Sequence, residues 1–379
     1  MNKELLIIAG EASGDLHGAS LIRELKSIDP SVKFIGIGGN KMRSQGMELL
    51  FHINQMAFLG FAEVLKHIPF IKKVQNLIIR EVISRKIDTV VLIDYPGFNL
   101  NIAKKLKNLD VKVIYYISPQ IWAWGHGRIK KIKKLVDKMM VILPFEEEFF
   151  RNAGVNVEYV GHPLLEQIEN YNYLSRDDFF RKFSLDIERE ILLLLPGSRL
   201  QEVKRIFPES IKAACRLAED LKMQLVVACS SDIDEQMFFQ MTDKRNFKVI
   251  KEHTYDLYKY ASFGIIKSGT STLEAALFGL PMILVYATNQ LTYLIGKSVI
   301  KIDKIGLVNI VAGKKIVDEL IQDDVNENKI YETSMAILSD PGKLESKRSE
   351  LRSIHARLGQ KGASKRCALL VYEILTRKC

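Results

Sequence analysis

Two short loops in the second half of the chain combine the residue types that hold a phosphate. One is LPGSR, Leu195–Arg199, and the other is KSGTSTLEAALFGLP, Lys267–Pro281. Each follows an apolar run that reads as a buried strand, so both belong at the carboxyl edge of a sheet, where open α/β folds hold ligands. In the second loop, Gly269 lets the backbone approach a ligand and a serine or threonine supplies a helix cap. The amides of Thr270 to Thr272 then point at an anion. With Gly197 and Ser198 shaping its loop, Arg199 supplies a fixed positive charge, with Glu202 and Lys204 close enough in sequence to orient it. Glu274 reads either as a ligand for ribose hydroxyls or as a carboxylate that complements the helix dipole. Two such loops in one half-chain suggest a nucleotide site.

The first half offers different chemistry. GEASGDLHGA, Gly10–Ala19, carries glycines at 10, 14 and 18, a spacing that does not match the dinucleotide fingerprint GxGxxG. A turn that admits some other ligand is the preferred reading, against glycines that serve only tight packing. Ser13, Gly14, Asp15 and His17 are its ligand candidates, although Asp15 could equally cap the following helix. In DYPGFN, Asp94–Asn99, the carboxylate of Asp94 ends a very apolar strand, and beside an apolar ligand its pKa moves toward a general base's working range. Capping the next turn is the plainer role for Asp94, while Pro96 and Asn99 shape the loop. SPQIWAWGHGR brings both tryptophans, Trp122 and Trp124, after another strand, as an aromatic wall for a large ligand or as buried packing.

Alternating strands and helices must position these residues. Strands are predicted at Leu5–Ala9, Phe34–Ile37, Thr89–Asp94, Val113–Ile117, Met139–Leu143 and Val157–Val160. Others follow at Ile191–Leu195, Gln224–Ala228, Lys248–Ile250, Gly264–Lys267 and Met282–Tyr286. This rhythm is that of doubly wound parallel sheets, here two Rossmann-like domains. The first spans 1–165 and the second 190–349, with a polar linker from His162 to about Arg189. A helical segment from about 350 to 379 is expected to pack back on the first domain.

With 379 residues and 47% hydrophobic content the chain can bury two ordinary cores. Its four cysteines, Cys215, Cys229, Cys367 and Cys379, have no metal-ligand spacing and suit a reducing cytoplasm. No histidine, cysteine and carboxylate set approaches a metal site, so a metal-independent reaction without a cofactor is favoured. The opening residues lack the features of a signal peptide, and no apolar run approaches the roughly 18 residues that span a bilayer. The formal charge of +10 asks for an acidic partner. Nucleic acid is the weaker reading of that partner, since RNP-like aromatics, zinc-finger spacing and a clear basic recognition helix are missing, and no nucleic-acid partner is expected. Arg128, Lys130 and Lys131 open a basic run that extends to Lys138, either a solvated helix face or a contact for anionic lipid. Upstream, Met56–Ile83 mixes Phe58, Phe61, Leu65, Ile68 and Phe70 with Lys66, Lys72 and Lys73, and Pro69 is expected to break or kink it. One face could pack on the sheet while another dips into a membrane surface.

Taken together, GEASGD, IGIGGNKM, DYPGFN, SPQIWAWG, VGHP, LLPGSRxxE, SGTSTLEAALFGLP and LVNIVAG, in this order over almost the whole chain, closely resemble the lipid A disaccharide synthases. These are glycosyltransferases of the GT-B fold, two Rossmann-like domains facing a cleft. The resemblance implies transfer of 2,3-diacylglucosamine from its UDP derivative to the 6-hydroxyl of 2,3-diacylglucosamine 1-phosphate. The products would be the β-1,6 disaccharide and UDP, formed with inversion. It implies a peripheral protein on the cytoplasmic face of the inner membrane and leaves a homodimer open. By residue it makes Asp94 the base and sets Arg199, Thr270 and Ser271 on the leaving diphosphate. Glu274 would hold ribose, and Asn309, Glu319 and Gln322 would line the donor site together with Gly197, Ser198, Glu202, Ser268 and Gly269. Ser13, Gly14, Asp15, His17, Glu63, Asn99, Trp122 and Trp124 would serve the acceptor side. The sequence departs from the pattern at Val308 and Asp318, where the family commonly has proline, and at Gly125 and His126, where a basic residue is usual. Alternatives are another UDP-sugar enzyme of this fold, such as a UDP-N-acetylglucosamine 2-epimerase, and a non-catalytic protein that binds UDP-sugars or membranes.

Overall fold

The computed structural model describes residues 3–56, 68–122, 126–289, 293 and 304–377. The chain divides into two compact units, Met1–Glu166 with Leu358–Cys379, and Gln167–Arg357.

In the first unit a seven-stranded sheet is formed by β1 (Glu4–Ala9), β2 (Lys33–Gly38), β3 (Glu48–His52), β4 (Thr89–Ile93), β5 (Lys112–Tyr116), β6 (Lys138–Val141) and β7 (Val157–Tyr159). Their spatial order is β3-β2-β1-β4-β5-β6-β7, and every pairing is parallel. Helices cover both faces, so the central strands are continuous apolar runs, and Leu5 to Ala9 are fully buried. Strand order reverses between β1 and β4, which opens a crevice at their carboxyl ends.

The second unit repeats this plan with β8 (Ile191–Leu195), β9 (Gln224–Cys229), β10 (Phe247–Lys251), β11 (Ala261–Lys267), β12 (Met282–Tyr286) and β13 (Asp318–Ile321). The order is β10-β9-β8-β11-β12-β13, again all parallel, and reverses between β8 and β11. Helix Leu200–Asp220 anchors its core through Val203, Ile206, Phe207, Ile211 and Leu217 at helical spacing. Phe207 is fully buried against Phe238, and truncating such a ring costs about 3–5 kcal/mol.

The edge strands β3 and β13 escape the sequence reading. ELLFH and DELI mix polar and apolar residues because an edge strand is only part-buried. The segment expected as a linker is structured. It carries helices Leu164–Glu169 and Arg176–Lys182, the latter capped by Ser175, and buries Phe179 and Phe180. Pro69 sits in the first described turn of Ile68–Arg85. The residues before Ile68 lie outside the described part of the chain, so the expected break or kink at Pro69 falls at the edge of what is described. The final helix, Ala363–Thr376, packs on helix Ala12–Ile28 and buries Cys367, Ala368 and Val371 in the first unit's core.

Candidate active site

Asp94 follows β4 directly, at the β1/β4 switch point. The strand ends one residue earlier than expected because Asp94 and Tyr95 both take left-handed backbone, φ 45° and 47°. Two consecutive non-glycine residues in this region carry strain that surrounding contacts must hold. Those contacts converge on the Asp94 carbonyl, which accepts from Tyr115 Oη at 2.6 Å and Asn99 Nδ2 at 2.7 Å. The Tyr95 ring lies over Gly10, where a Cβ would stand 2.3 Å from the ring carbons, and its hydroxyl donates to the Met56 carbonyl. The turned backbone leaves the Asp94 carboxyl half-buried. Burial, with repulsion from Glu11, pushes its pKa from 3.8 to about 6. Glu11 is exposed in the loop after β1, and nothing in its local sequence marks it as a neighbour of Asp94.

Much of the neighbouring polar inventory is committed to structure. The Asp15 carboxylate accepts from the amides of Gly39, Lys41 and Met42 at 2.6–3.1 Å, so it fixes the loop after β2 and caps that turn. The three glycines serve packing: the spaces beside Gly10, Gly14 and Gly18 are filled by Tyr95, Ala9 and Met42. Ser13 is exposed. His17 sits edge-on to Tyr116, and burial pushes its pKa down to about 4, which keeps it neutral. Asn99 is fully buried as a loop shaper. Trp122 is 7% exposed, packs on Phe145 and donates its indole proton to Glu146, which also accepts from Ser118 and the Leu143 amide. It is packing rather than an open wall. Glu63 and Trp124 lie outside the described residues.

In the second unit, the residues after β8, β9, β10 and β11 enclose a cavity of about 630 Å³. Gly197, Ser198, Arg199, Glu202, Ser268, Gly269, Thr270, Ser271 and Glu274 all line it. Two helices start here, Leu200–Asp220 with Arg199 at its N-cap and Thr270–Leu277 with Gly269 at its N-cap. Neither has a side-chain cap. The expected Ser or Thr cap is absent because Ser271 and Thr272 turn their hydroxyls back onto the carbonyls of Lys267 and Gly269. The amide of Thr272, expected on the anion, instead donates to the Gly269 carbonyl at 3.2 Å, while Thr270 and Ser271 line the cavity at a helix start without a side-chain cap, the kind of position that suits an anion. By contrast, helices Glu327–Leu338 and Pro341–Arg352 are capped by Asn326 and Asp340. Burial pushes the Glu274 carboxyl up to about 7, against a partial pull from the Tyr258 and Tyr255 hydroxyls at 3.4 and 3.5 Å.

Tertiary folding adds Ser230, Ser231, Glu252, Thr254, Tyr258 and Lys267 to the lining. Ser230, Ser231 and Glu252 stand just after strands, the one local signal that could have marked them, while Lys267 ends β11 and Tyr258 comes from within helix Thr254–Tyr260. Glu202 pairs with Lys267 at 2.8 Å, rather than standing as the expected partner of Arg199.

Asn309, Glu319 and Gln322 do not line this cavity. Asn309 is fully buried and uses both ends of its amide, donating to the Val317 carbonyl and Glu319 and accepting from the amides of Ile316 and Val317. Glu319 also accepts from the amides of Ile305 and Gly306, while Gln322 brackets the Thr288 backbone. All three hold loops together. Among the membrane candidates, Ile68 is 39% exposed and Lys72, Lys73, Arg128, Lys130 and Lys131 are exposed. Phe70 instead packs edge-on against Phe51 and the core. Phe58, Phe61, Leu65 and Lys66 lie outside the described residues. Among the described residues no group of side chains could hold a metal ion, and no helix is long and apolar enough to cross a membrane.

Two parallel-sheet α/β units with loops gathered at both switch points define the GT-B class of fold. Solved structures agree: a UDP-GlcNAc 2-epimerase from Neisseria meningitidis bound to UDP-GlcNAc superposes with TM-score 0.68 at 13% identity over 99% of this chain and 100% of its own. The calicheamicin glycosyltransferase CalG4 gives 0.63 at 14% identity over 99% and 98%. Sequence similarity is more specific. The lipid-A-disaccharide synthetase family model matches residues 5–374. Lipid-A-disaccharide synthases of Geobacter sulfurreducens and Syntrophus aciditrophicus are each 41% identical, covering 99% and 100% of this chain and 98% and 99% of theirs. The chain belongs to the lipid-A-disaccharide synthetase family.

Proposed function

We propose that Asp94 is the general base of this enzyme and that the 630 Å³ cavity of the second unit receives the UDP part of the donor. Family membership makes the chain a glycosyltransferase that forms the lipid A disaccharide. In this reading 2,3-diacylglucosamine passes from its UDP derivative to 2,3-diacylglucosamine 1-phosphate. The acceptor 6-hydroxyl gives its proton to Asp94 while its oxygen bonds the anomeric carbon. The bond to the diphosphate breaks on the opposite side, which inverts the centre and releases UDP. Arg199 and the uncapped amides of helix Thr270–Leu277 take up the charge that gathers on the leaving diphosphate, and Glu274 meets the ribose. Preorganised donors of this kind are usually the largest electrostatic contribution to such a reaction.

The single observation that carries the assignment of the base is the half-buried carboxyl of Asp94 in a strained turn at a sheet switch point, where burial and Glu11 push its pKa up to about 6. A carboxyl tuned there is ionised at neutral pH and still basic enough to accept a proton.

Both substrates carry acyl chains, and each buried CH₂ contributes about 0.8 kcal/mol to staying in lipid. The exposed lysines of Ile68–Arg85 and the basic residues from Arg128 onward support peripheral attachment to an anionic membrane, with the cytoplasmic face as its site. Incubation with both diacylated substrates tests the function. Mass spectrometry is expected to find the disaccharide phosphate together with UDP, and epimerised UDP-sugar without disaccharide would refute it.

A further inference from the structure

The two loops that shape the cavity are joined by an ion pair. Lys267 is the last residue of β11 and Glu202 lies in the first turn of helix Leu200–Asp220, with Nζ and Oε1 2.8 Å apart. Both side chains are four-fifths buried, at 18% and 19% exposure. Each end of the pair stands against a glycine. A Cβ on Gly197, whose φ is 132°, would lie 2.8 Å from Glu202 Oε2, so only glycine admits the carboxylate there. A Cβ on Gly269 would lie 3.8 Å from Lys267 Nζ, which places the ammonium over the uncapped start of helix Thr270–Leu277. An ammonium has three protons to donate. One goes to Glu202, and among the described residues no other side chain or carbonyl takes the remaining two, which leaves them for an anion.

Charge balance points the same way. The cavity lining holds three carboxyls, Glu202, Glu252 and Glu274, against two cations, Arg199 and Lys267. Without Lys267 a diphosphate would meet one cation and three acids. A surface ion pair of this length would be worth little, but a pair held between two loop glycines fixes where the positive charge stands.

We propose that Lys267 is a second cation for the donor's diphosphate and that Glu202 is its positioning residue. This rests on the reading of the cavity as the UDP site. Glu202 holds the ammonium over the helix start, so the anion meets it without a side chain having to be ordered on binding.

Calorimetric titration of the full-length protein with UDP and with uridine tests the assignment. Lys267→Met is expected to weaken UDP about tenfold to a hundredfold, the worth of one hydrogen bond to a charged group, and to leave uridine within about twofold. Lys267→Arg, which keeps the charge, is expected to retain most UDP affinity and guards against a folding defect in the methionine variant. Glu202→Ala separates positioning from neutralisation. A positioning role predicts weaker UDP binding, whereas an acid that merely cancels Lys267 predicts tighter binding once removed. Unchanged UDP affinity in Lys267→Met, equal loss of UDP and uridine, or tighter UDP binding in Glu202→Ala would overturn the proposal while leaving the cavity as the donor site. If the unsubstituted protein binds no UDP, the reading of the cavity falls first, and the role of Lys267 with it.

Discussion

At the β1/β4 switch point the chain gathers acid, Asp94 beside Glu11, whereas at the β8/β11 switch point it gathers Arg199 and Lys267 beside two uncapped helix starts. The strand arrangement is the same in both. The sheet supplies a place for a ligand and the loop residues decide its charge. The backbone devices differ too. In the second unit, Gly197 accepts the unusual conformation without a side-chain penalty. In the first, Asp94 and Tyr95 adopt left-handed backbone with side chains in place, held by Tyr115, Asn99 and the ring contact at Gly10. Strain is thus stored at the proposed base, and avoided at the loop proposed to hold the diphosphate.

The comparison can be broken at several points. Arg199→Ala is expected to lower turnover about a hundredfold to a thousandfold, with UDP affinity falling alongside. Steady-state rates at several donor concentrations check this, and a loss confined to the acceptor would refute it. Gly10→Ala strikes the other unit. Its methyl must push the Tyr95 ring aside, and a shift of Asp94 by a fraction of an ångström is expected to cost about tenfold to a hundredfold in turnover while UDP binding stays intact.

The pH profile sharpens the base assignment. Turnover is expected to fall as pH drops through about 6, where Asp94 takes up its proton. Glu11→Gln removes a like charge, so that acidic limb should move to lower pH, and an unmoved limb would detach Glu11 from the site. Stability follows the opposite sign. A carboxyl raised from 3.8 to about 6 favours the folded state fully below the unfolded value and loses that contribution as pH climbs through 6. The smallest expected effect on chemistry is at Asn309. Asn309→Ala should cost about 1–3 kcal/mol in urea unfolding because buried amide partners are left unpaired.

The strands that fix both switch points were legible because central parallel strands are apolar on both faces, as in Leu5–Ala9 and Ile191–Leu195. LPGSR and SGTST were legible as loops because their glycines and small polar residues stand directly after such runs. What lay hidden depends on contacts between distant residues. The partner of Glu202 is Lys267, sixty-five positions away, and nothing local to GEASGDLHGA shows that Tyr95 and Met42 fill the space beside its glycines. Asn309 looked like a ligand because polar residues in a family motif invite that reading, yet folding spends its amide on the Ile316–Val317 backbone and the Glu319 carboxylate. The edge strands β3 and β13 failed for the converse reason, since half-buried strands carry no continuous apolar run.

Asp94→Asn is the most direct test of the division between an acidic and an anion-binding switch point. Asparagine tolerates left-handed backbone, so the fold should persist, with thermal stability at neutral pH no lower than before. Measured on one preparation, turnover with both diacylated substrates should fall about a hundredfold to ten-thousandfold while UDP binds as in the unsubstituted protein. Near-normal turnover, or loss of UDP affinity in step with activity, would contradict the assignment of the base to one unit and of the donor to the other.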